Sequence, residues 1–496
     1  MAPPFLPSKL CSLLVLLLWW TICIACSGRG EKPSGMYEES STLPAIYPDY
    51  AEISIPPNIA PLNFRFKGEA EKVYLKIQGS KEGEMECFGK DRILFNEKKW
   101  KRLLVANKGG ELLFSLFTKQ EGEWIGWKSF SVQVENSPID SYLVYRLIEP
   151  GYEKWHVVGI YQRCLETFKE TPIVRNDMTG YGCINCHSFC NGDPEQFLFH
   201  MRAANDGTYI VRSGEIEKLR TKTEQTISNL VYPYWHPSGK YVVASVNDTR
   251  QFFHAIKEKK MEVFDMESDV VVYDVENKAI LSQASLITQD AFETFPSFSP
   301  DGEWLYFCTA PVTAMPDQYD QLRYNLCRIA FDEEEGLLKM PVDTLVYADS
   351  ISVSFPRISP DGQFLMYTET AYGQFPIWHK DADIRMIDLR SGTFVDTSVM
   401  NSEDTESYHS WSSNGKWVVF SSRRDNGLYT LPYLTYINEE GKPSKPFLLP
   451  QKDPEFYDYL LYSYNIPELV KGEVKIDPYK IQQTAMKNQL EQINFK

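Results

Sequence analysis

The sequence predicts an all-β chain, an N-terminal β-sandwich followed by a six-bladed β-propeller. Aromatic residues make up 14% of the 496 residues, with 29 Tyr and 28 Phe. Gly and Pro recur as turn punctuation, which favours many short strands. One hairpin pattern also repeats along the second half of the chain. The length is too great for one ordinary domain and predicts two or three.

The repeat decides the architecture. The segments YPYWHPSGKYVVAS from Tyr232, FPSFSPDGEWLYFCT from Phe295, FPRISPDGQFLMYTE from Phe355 and YHSWSSNGKWVVFSS from Tyr408 align with one another. Each is an aromatic residue, a short strand, a tight Gly turn and an alternating strand. The turn glycines Gly239, Gly302, Gly362 and Gly415 recur every 53 to 63 residues, the size of a four-stranded blade with long loops. Asp-Gly and Asn-Gly turns suit the positive φ that such hairpins need. Segments such as DVVVYDVENKAILSQ (269 to 283) supply two further strands per unit. The pattern resembles the TolB-like propeller repeat over residues 230 to 450.

The register extends upstream. HSFCNGDPEQFLFHM (187 to 201) aligns with PSFSPDGEWLYFCT, so Ser188 and Phe189 match Ser297 and Phe298. QFLFHMR then becomes a second strand, and GTYIVRSGEIEKLRTK a third and fourth. One unit earlier, the chain from SYLVYRLIEP to ETPIVRN offers three strands without a first. The C-terminal FYDYLLYSYNIPEL is expected to supply it and close the ring. The propeller is thus expected over 140–465. A C-terminal extension, 466–496, carries a short helix in DPYKIQQTAMKNQLEQ.

Residues 50–137 read as a separate domain of roughly seven short alternating strands, similar to an immunoglobulin or fibronectin type III sandwich. Before it, LCSLLVLLLWWTICIAC has signal-peptide length, follows a single charge at Lys9 and ends in small residues. Residues 1–26 are therefore expected to be an export signal. Its end resembles a bacterial lipobox, which implies lipidation of Cys26; Cys23 stands where the usual Leu would be, and an uncleaved signal anchor is the alternative. Residues 27–49 read as a tether. The expected protein is exported, periplasmic or at the outer membrane, and held by an N-terminal lipid anchor. The net charge of −16 argues against a nucleic-acid partner.

Within GYGCINCHSFC, Cys183, Cys186 and His187 fit C-x-x-C-H, the attachment signature of c-type haem. Two thiols form thioethers with the vinyl groups and the adjacent histidine ligates iron. With 10 Cys and 7 His in the chain, chance rarely produces the pattern, and export agrees with it. Two rivals stay open. A Cys183–Cys186 disulfide lacks the thioredoxin-like context usual for C-x-x-C. Zinc would need further ligands, with Cys190 and His200 as candidates. For a sixth iron ligand, His200 is favoured over Met201, since alternation allows only one of these neighbours to face the motif strand; Met178 and His156 are further options, and five-coordinate iron is the alternative. Elsewhere, Cys308 with Cys327 and Cys164 with Cys190 are candidate pairs.

Taken together, GIYQRCLETFKETPIVRN, CINCHSF, FLFHMR and SYNIPEL resemble a group of Bacteroidetes exported lipoproteins that combine a TolB-like propeller with a haem-type motif. The resemblance covers about 140 to 470 and implies a haem-binding periplasmic propeller, without implying an enzyme activity. Two function classes follow. One is a redox or ligand-sensing protein carrying covalent haem c and exchanging with a protein partner. The other is a scaffold that binds protein or glycan, with a structural disulfide or metal at the C-x-x-C-H segment. A hydrolase would need carboxylates converging on the channel. Glu293 and Glu406 match in the repeat, but Leu230 and Val353 occupy the equivalent positions, so no catalytic set is assembled.

Overall fold

The computed structural model describes residues 30–149, 158–254, 261–281, 283, 285–487 and 490–496. The fold is mostly β. Beyond residue 140 it is built on six sheets in succession, antiparallel apart from one short parallel edge strand on each of two of them. Five of them run in chain order from the first strands Cys183–Phe189, Val231–Trp235, Ala291–Phe298, Ser352–Ile358 and Glu406–Trp411. The earliest sheet contains Tyr142–Ile148, Gly159–Cys164 and Glu170–Arg175 and has no first strand of its own. Ser463–Val470 supplies it, pairing antiparallel with Tyr142–Ile148. This strand crosses the boundary expected at residue 465.

Each first strand lies against the first strand of the next sheet. Ser463–Val470 lies against both Glu406–Trp411 and Cys183–Phe189, so the six close a propeller-like ring. Separate apolar clusters fill the spaces between consecutive sheets. Val144, Ile173, Phe197 and Tyr209 lie in one, and Leu198, Trp235, Val242 and Val271 in the next.

A single irregularity recurs in every first strand. Two residues oppose one on the neighbouring strand at 186–187, 232–233, 295–296, 355–356, 408–409 and 466–467. The first residue of each pair has positive φ: Cys186 46°, Tyr232 48°, Phe295 48°, Phe355 53°, Tyr408 49° and Ile466 51°. These are β-bulges, which bend a strand and re-aim its side chains. Their bulky side chains meet near the centre of the ring. Phe295 packs at a tilt against Tyr232 and Phe355 with centroids 4.4 and 4.1 Å apart, and Phe355 against Tyr408 at 4.6 Å. At the end of the axis remote from the bulge exits, the long hairpin Tyr241–Phe253 and Met261–Asp274 reaches residues 372–379. There Glu262 accepts the Tyr372 hydroxyl at 2.6 Å and pairs with His379 at 3.0 Å.

The N-terminal residues form a seven-stranded and a three-stranded sheet around a common core of Phe64, Leu75, Leu112 and Phe114. Two features differ from the sequence expectation. Glu97–Ala106 is an α-helix, capped by the Asn96 side chain accepting from the Lys99 amide, with Trp100, Leu103 and Leu104 buried at helical spacing. Glu38–Glu39 and Ile46–Tyr47 of the expected tether join the two sheets as short strands. The unit packs on the last sheet of the ring: Trp417 donates to the Ser137 carbonyl at 3.0 Å, and Asp140 accepts from the Ser413 amide and hydroxyl.

At the C-terminus, Pro478–Met486 is helical, with Asp477 as its cap and Ile481 and Ala485 buried. Glu491–Gln492 and Asn494–Phe495 add parallel edge strands to two sheets. All described cysteines are free thiols. Cys308 and Cys327 sit on adjacent strands but face opposite sides, because Cys308 pairs with Leu326 and Cys327 with Phe307. The side-chain alternation of a strand therefore separates the pair. Cys164 and Cys190 are likewise unbonded.

The axial aromatic cluster should carry much of the ring's stability. Phe355→Ala is expected to cost about 3 kcal/mol or more, measured as a lower urea midpoint at unchanged slope.

Candidate functional site

The second residue of a bulge donates no ladder hydrogen bond, so proline is tolerated there. Pro233, Pro296, Pro356 and Pro467 take four of the six positions, and His187 and His409 take the other two. The Cys186-His187 half of the C-x-x-C-H motif therefore occupies the same place as Phe295-Pro296. Cys186 is 3% exposed and neighbours Tyr232 and Tyr408 in the axial cluster. It is a small side chain where four of the other strands place an aromatic ring.

Just past the bulges the strands enclose a cavity of about 390 Å³. His187, His409, Tyr234, Arg357 and Glu468 line it, with Lys471 exposed at the rim. Both histidines are 3% exposed, and their ring nitrogens make no hydrogen bond of good geometry, with the Ile466 backbone beside His187 and the Met366 and Phe355 backbones beside His409. Burial pushes both imidazoles down to about 3; the Arg146 charge adds to the effect at His187, and the Arg357 charge at His409. Both are therefore neutral at pH 7.

Glu468 accepts the Phe189 amide at 2.9 Å and lies 3.9 Å from His187 Nε2. Burial pushes its carboxyl up to about 8 against the opposing pull of that amide and of Arg357. Arg357 donates to the Pro356 carbonyl at 2.7 Å and lies 4.9 Å over the Tyr234 ring. Among the described residues no carboxylate lies within ion-pair distance of Arg357. The charged group of the lining is thus a guanidinium beside two neutral imidazoles and a carboxyl whose ionisation is disfavoured by its surroundings.

The other expected site residues lie elsewhere. Cys183, half-buried, shares a sheet face with Asn185 and His200, since Cys183 pairs with Arg202 and Asn185 with His200. Arg146 holds this strand by donating to Asn185 Oδ1 and to Asn465 Oδ1. His200 is buried with Nδ1 at 2.9 Å from the Thr208 hydroxyl, and burial pushes it down to about 3. Met201 pairs with Ile184 and packs in the apolar cluster on the opposite face. Met178 is half-buried in a short 3-10 turn. Cys26 and His156 lie outside the described residues.

A covalently attached haem requires both sulfurs and the imidazole to face one macrocycle. Here His187 lines the cavity while neither thiol does, and His187 belongs to the bulge at 186–187 whereas Cys183 lies on the regular strand before it. This arrangement does not fit the group. Among the described residues, no three His, Cys, Asp or Glu side chains converge to hold a metal ion, so Cys190 and His200 do not complete a zinc set with the motif. Glu293 and Glu406 are bound locally, by Thr288 at 3.1 Å and by Ser402, Ser422 and Arg424.

Arg357, Glu468 and Tyr234 were not singled out by the sequence reading. All three stand two places after a positive-φ bulge residue, as R in FPRI, E in IPEL and the second Y in YPYW. Aligning the six first strands would have marked them as channel-facing.

No family model and no curated protein matches the sequence. Among solved structures, a puromycin hydrolase is 11% identical over 62% of this chain and 45% of its own, with a TM-score of 0.37. The Pseudomonas aeruginosa periplasmic gluconolactonase is 14% identical over 62% and 97%, at 0.33. An apocarotenoid oxygenase from Synechocystis is 12% identical over 86% and 97%, at 0.35. This chain spans less than half of the puromycin hydrolase. At these scores the likenesses carry no argument about fold or activity. No helix among the described residues is long and apolar enough to cross a membrane.

A carboxyl raised by burial contributes stability that is present below its unfolded value and lost as pH rises through its folded one. For Glu468, facing His187, Arg357 and the Phe189 amide, that loss runs from about 4.5 to about 8. The depressed histidines act oppositely, their contribution being lost as pH falls below 6.5. Glu468→Gln is therefore expected to match the parent's melting temperature at pH 5 and to exceed it at pH 8.5 by about 2 °C or more. Differential scanning calorimetry at the two pH values measures this.

Proposed function

We propose that the chain is an exported, lipid-anchored six-bladed β-propeller of the TolB-like kind, carrying an immunoglobulin-like or fibronectin-like N-terminal sandwich and acting by binding rather than by catalysis. The observation that carries this reading is the cavity past the bulges. It places two buried imidazoles, whose ring nitrogens make no well-formed hydrogen bond, beside a guanidinium without an ion-pair partner and a half-buried carboxyl. Unpaired buried polar groups are costly, and a ligand that pairs them recovers that cost. Binding propellers place such sites at the channel, where loops from all blades converge. The export signal and Cys26 lipidation rest on the N-terminal sequence, and the protein or glycan partner of the outer faces is read from architecture alone.

The second reading is covalent haem c on Cys183 and Cys186 with His187 as iron ligand, in a redox or ligand-sensing protein. Its supports are the C-x-x-C-H sequence and the unpartnered His187 ring; attachment would require the bulge to rearrange so that both thiols and the imidazole share one side. A haem stain and a pyridine haemochrome spectrum, on protein from an exporting host with working attachment machinery, separate the two readings. A colourless, folded protein is expected. Haem that survives denaturation and disappears in the Cys183→Ala, Cys186→Ala variant would overturn the binding reading in favour of the cytochrome.

A further inference from the structure

We infer that the cavity past the bulges binds the carboxylate of a small hydroxylated acid, with Arg357 as its counter-charge and His187 and His409 as hydrogen-bonding flanks. The inference rests on the binding reading above and names the ligand class for that same site.

Charge balance leads to this class. Arg357 is half-buried, yet its one hydrogen-bond partner among the described residues is the Pro356 carbonyl, which takes Nη1, and its Cζ lies 4.9 Å over the Tyr234 ring. The ring limits where the guanidinium can move, and its remaining N–H groups are donors of the kind a carboxylate accepts from. Glu468 lines the same cavity but makes no ion pair with Arg357, so among the described residues the guanidinium has no carboxylate partner. A carboxylate ligand supplies that single counter-charge, whereas a phosphate dianion would bring more negative charge than one guanidinium balances.

The rest of the lining defines what the acid carries. An imidazole offers ring nitrogens that donate and accept, and a carboxyl offers oxygens that accept. His187, His409 and Glu468 are thus matched to hydroxyl groups, which also donate and accept. Phe298, Trp411 and Ile466 cover carbon. The volume of about 390 Å³ lies in the range used for small molecules. Lys471, exposed at the rim, draws anions towards the opening in a protein whose net charge is −16.

The test is isothermal titration and imidazole-resolved NMR on the full chain with D-glucuronate and L-lactate. D-glucose and lactamide serve as uncharged counterparts, and inorganic phosphate as the competing anion. At least one carboxylate is expected to bind and to move the His187 and His409 resonances. Arg357→Gln should weaken it at least about tenfold. Arg357→Lys, which keeps charge but loses the fork, should fall between. Lys471→Gln, at an exposed site, should lose about twofold at low salt and nothing at high salt; it keeps the inference open to refutation even where the Arg357 variants do not fold.

Absence of binding by both carboxylates overturns the inference, as does unchanged affinity in Arg357→Gln. Preference for phosphate overturns the carboxylate assignment. If the uncharged counterparts move the same imidazole resonances with equal affinity, the carboxylate assignment fails while the cavity remains a binding site. If no small molecule moves them, the binding reading fails with it.

Discussion

Six first strands have to run side by side around one axis, and a straight strand cannot do so while also filling the centre. The β-bulge resolves this. At each of the six positions one residue takes a left-handed φ near 50°, a conformation that disfavours most side chains and is tolerated where surrounding packing over-determines it. The bend re-aims that residue at the axis, where Tyr232, Phe295, Phe355 and Tyr408 pack against one another at a tilt. The next residue leaves the ladder, and the following one is turned into the channel. Core, cavity and candidate site are consequently three successive positions of the same local distortion. Strain along the backbone is offset by the aromatic contacts it makes possible.

This coupling explains why the C-x-x-C-H segment supports two readings. In sequence it matches a haem attachment signature. In the fold its last two residues match Tyr408-His409 and four aromatic-proline or aliphatic-proline pairs. His187 is accordingly held as His409 is, buried and neutral, although no cysteine precedes His409 at the same interval. Cys183 does not share that position, since it lies on the sheet face with His200 before the bend. The bulge, rather than the spacing of three residues along the chain, determines what each side chain can reach.

Much of the architecture was legible because it repeats. The Gly turns at 239, 302, 362 and 415 and the alternating strands after them mark hairpins by local chemistry, and the absent first strand of the earliest sheet pointed to a C-terminal donor. Three parts were not legible. The helix Glu97–Ala106 lies between strands and shows its pattern only at helical period, with buried Trp100, Leu103 and Leu104. Cys308 and Cys327 lie on neighbouring strands, and only the register reveals that they face opposite sides. Arg357 and Glu468 come from sheets far apart in sequence. They meet because the ring closes, and their shared electrostatics depend on burial that no single segment determines.

The strand Ser463–Val470 ties the end of the chain to Tyr142–Ile148, and the sixth sheet shares its core with the N-terminal unit. Emergence from a ribosome or a translocation pore is vectorial, so the earliest sheet, its own strands complete at Arg175, waits with an unpaired edge until Ser463 and the residues after it follow. An unpaired edge is a template for association with other chains, and contacts this distant in sequence form slowly. A chain of this topology depends on being kept apart from its neighbours until the closing strand Ser463–Val470 arrives. A stop codon or a proteolytic cut near residue 460 would therefore do more than shorten the molecule: it would leave a ring that cannot close, with its adhesive edge permanently in the open.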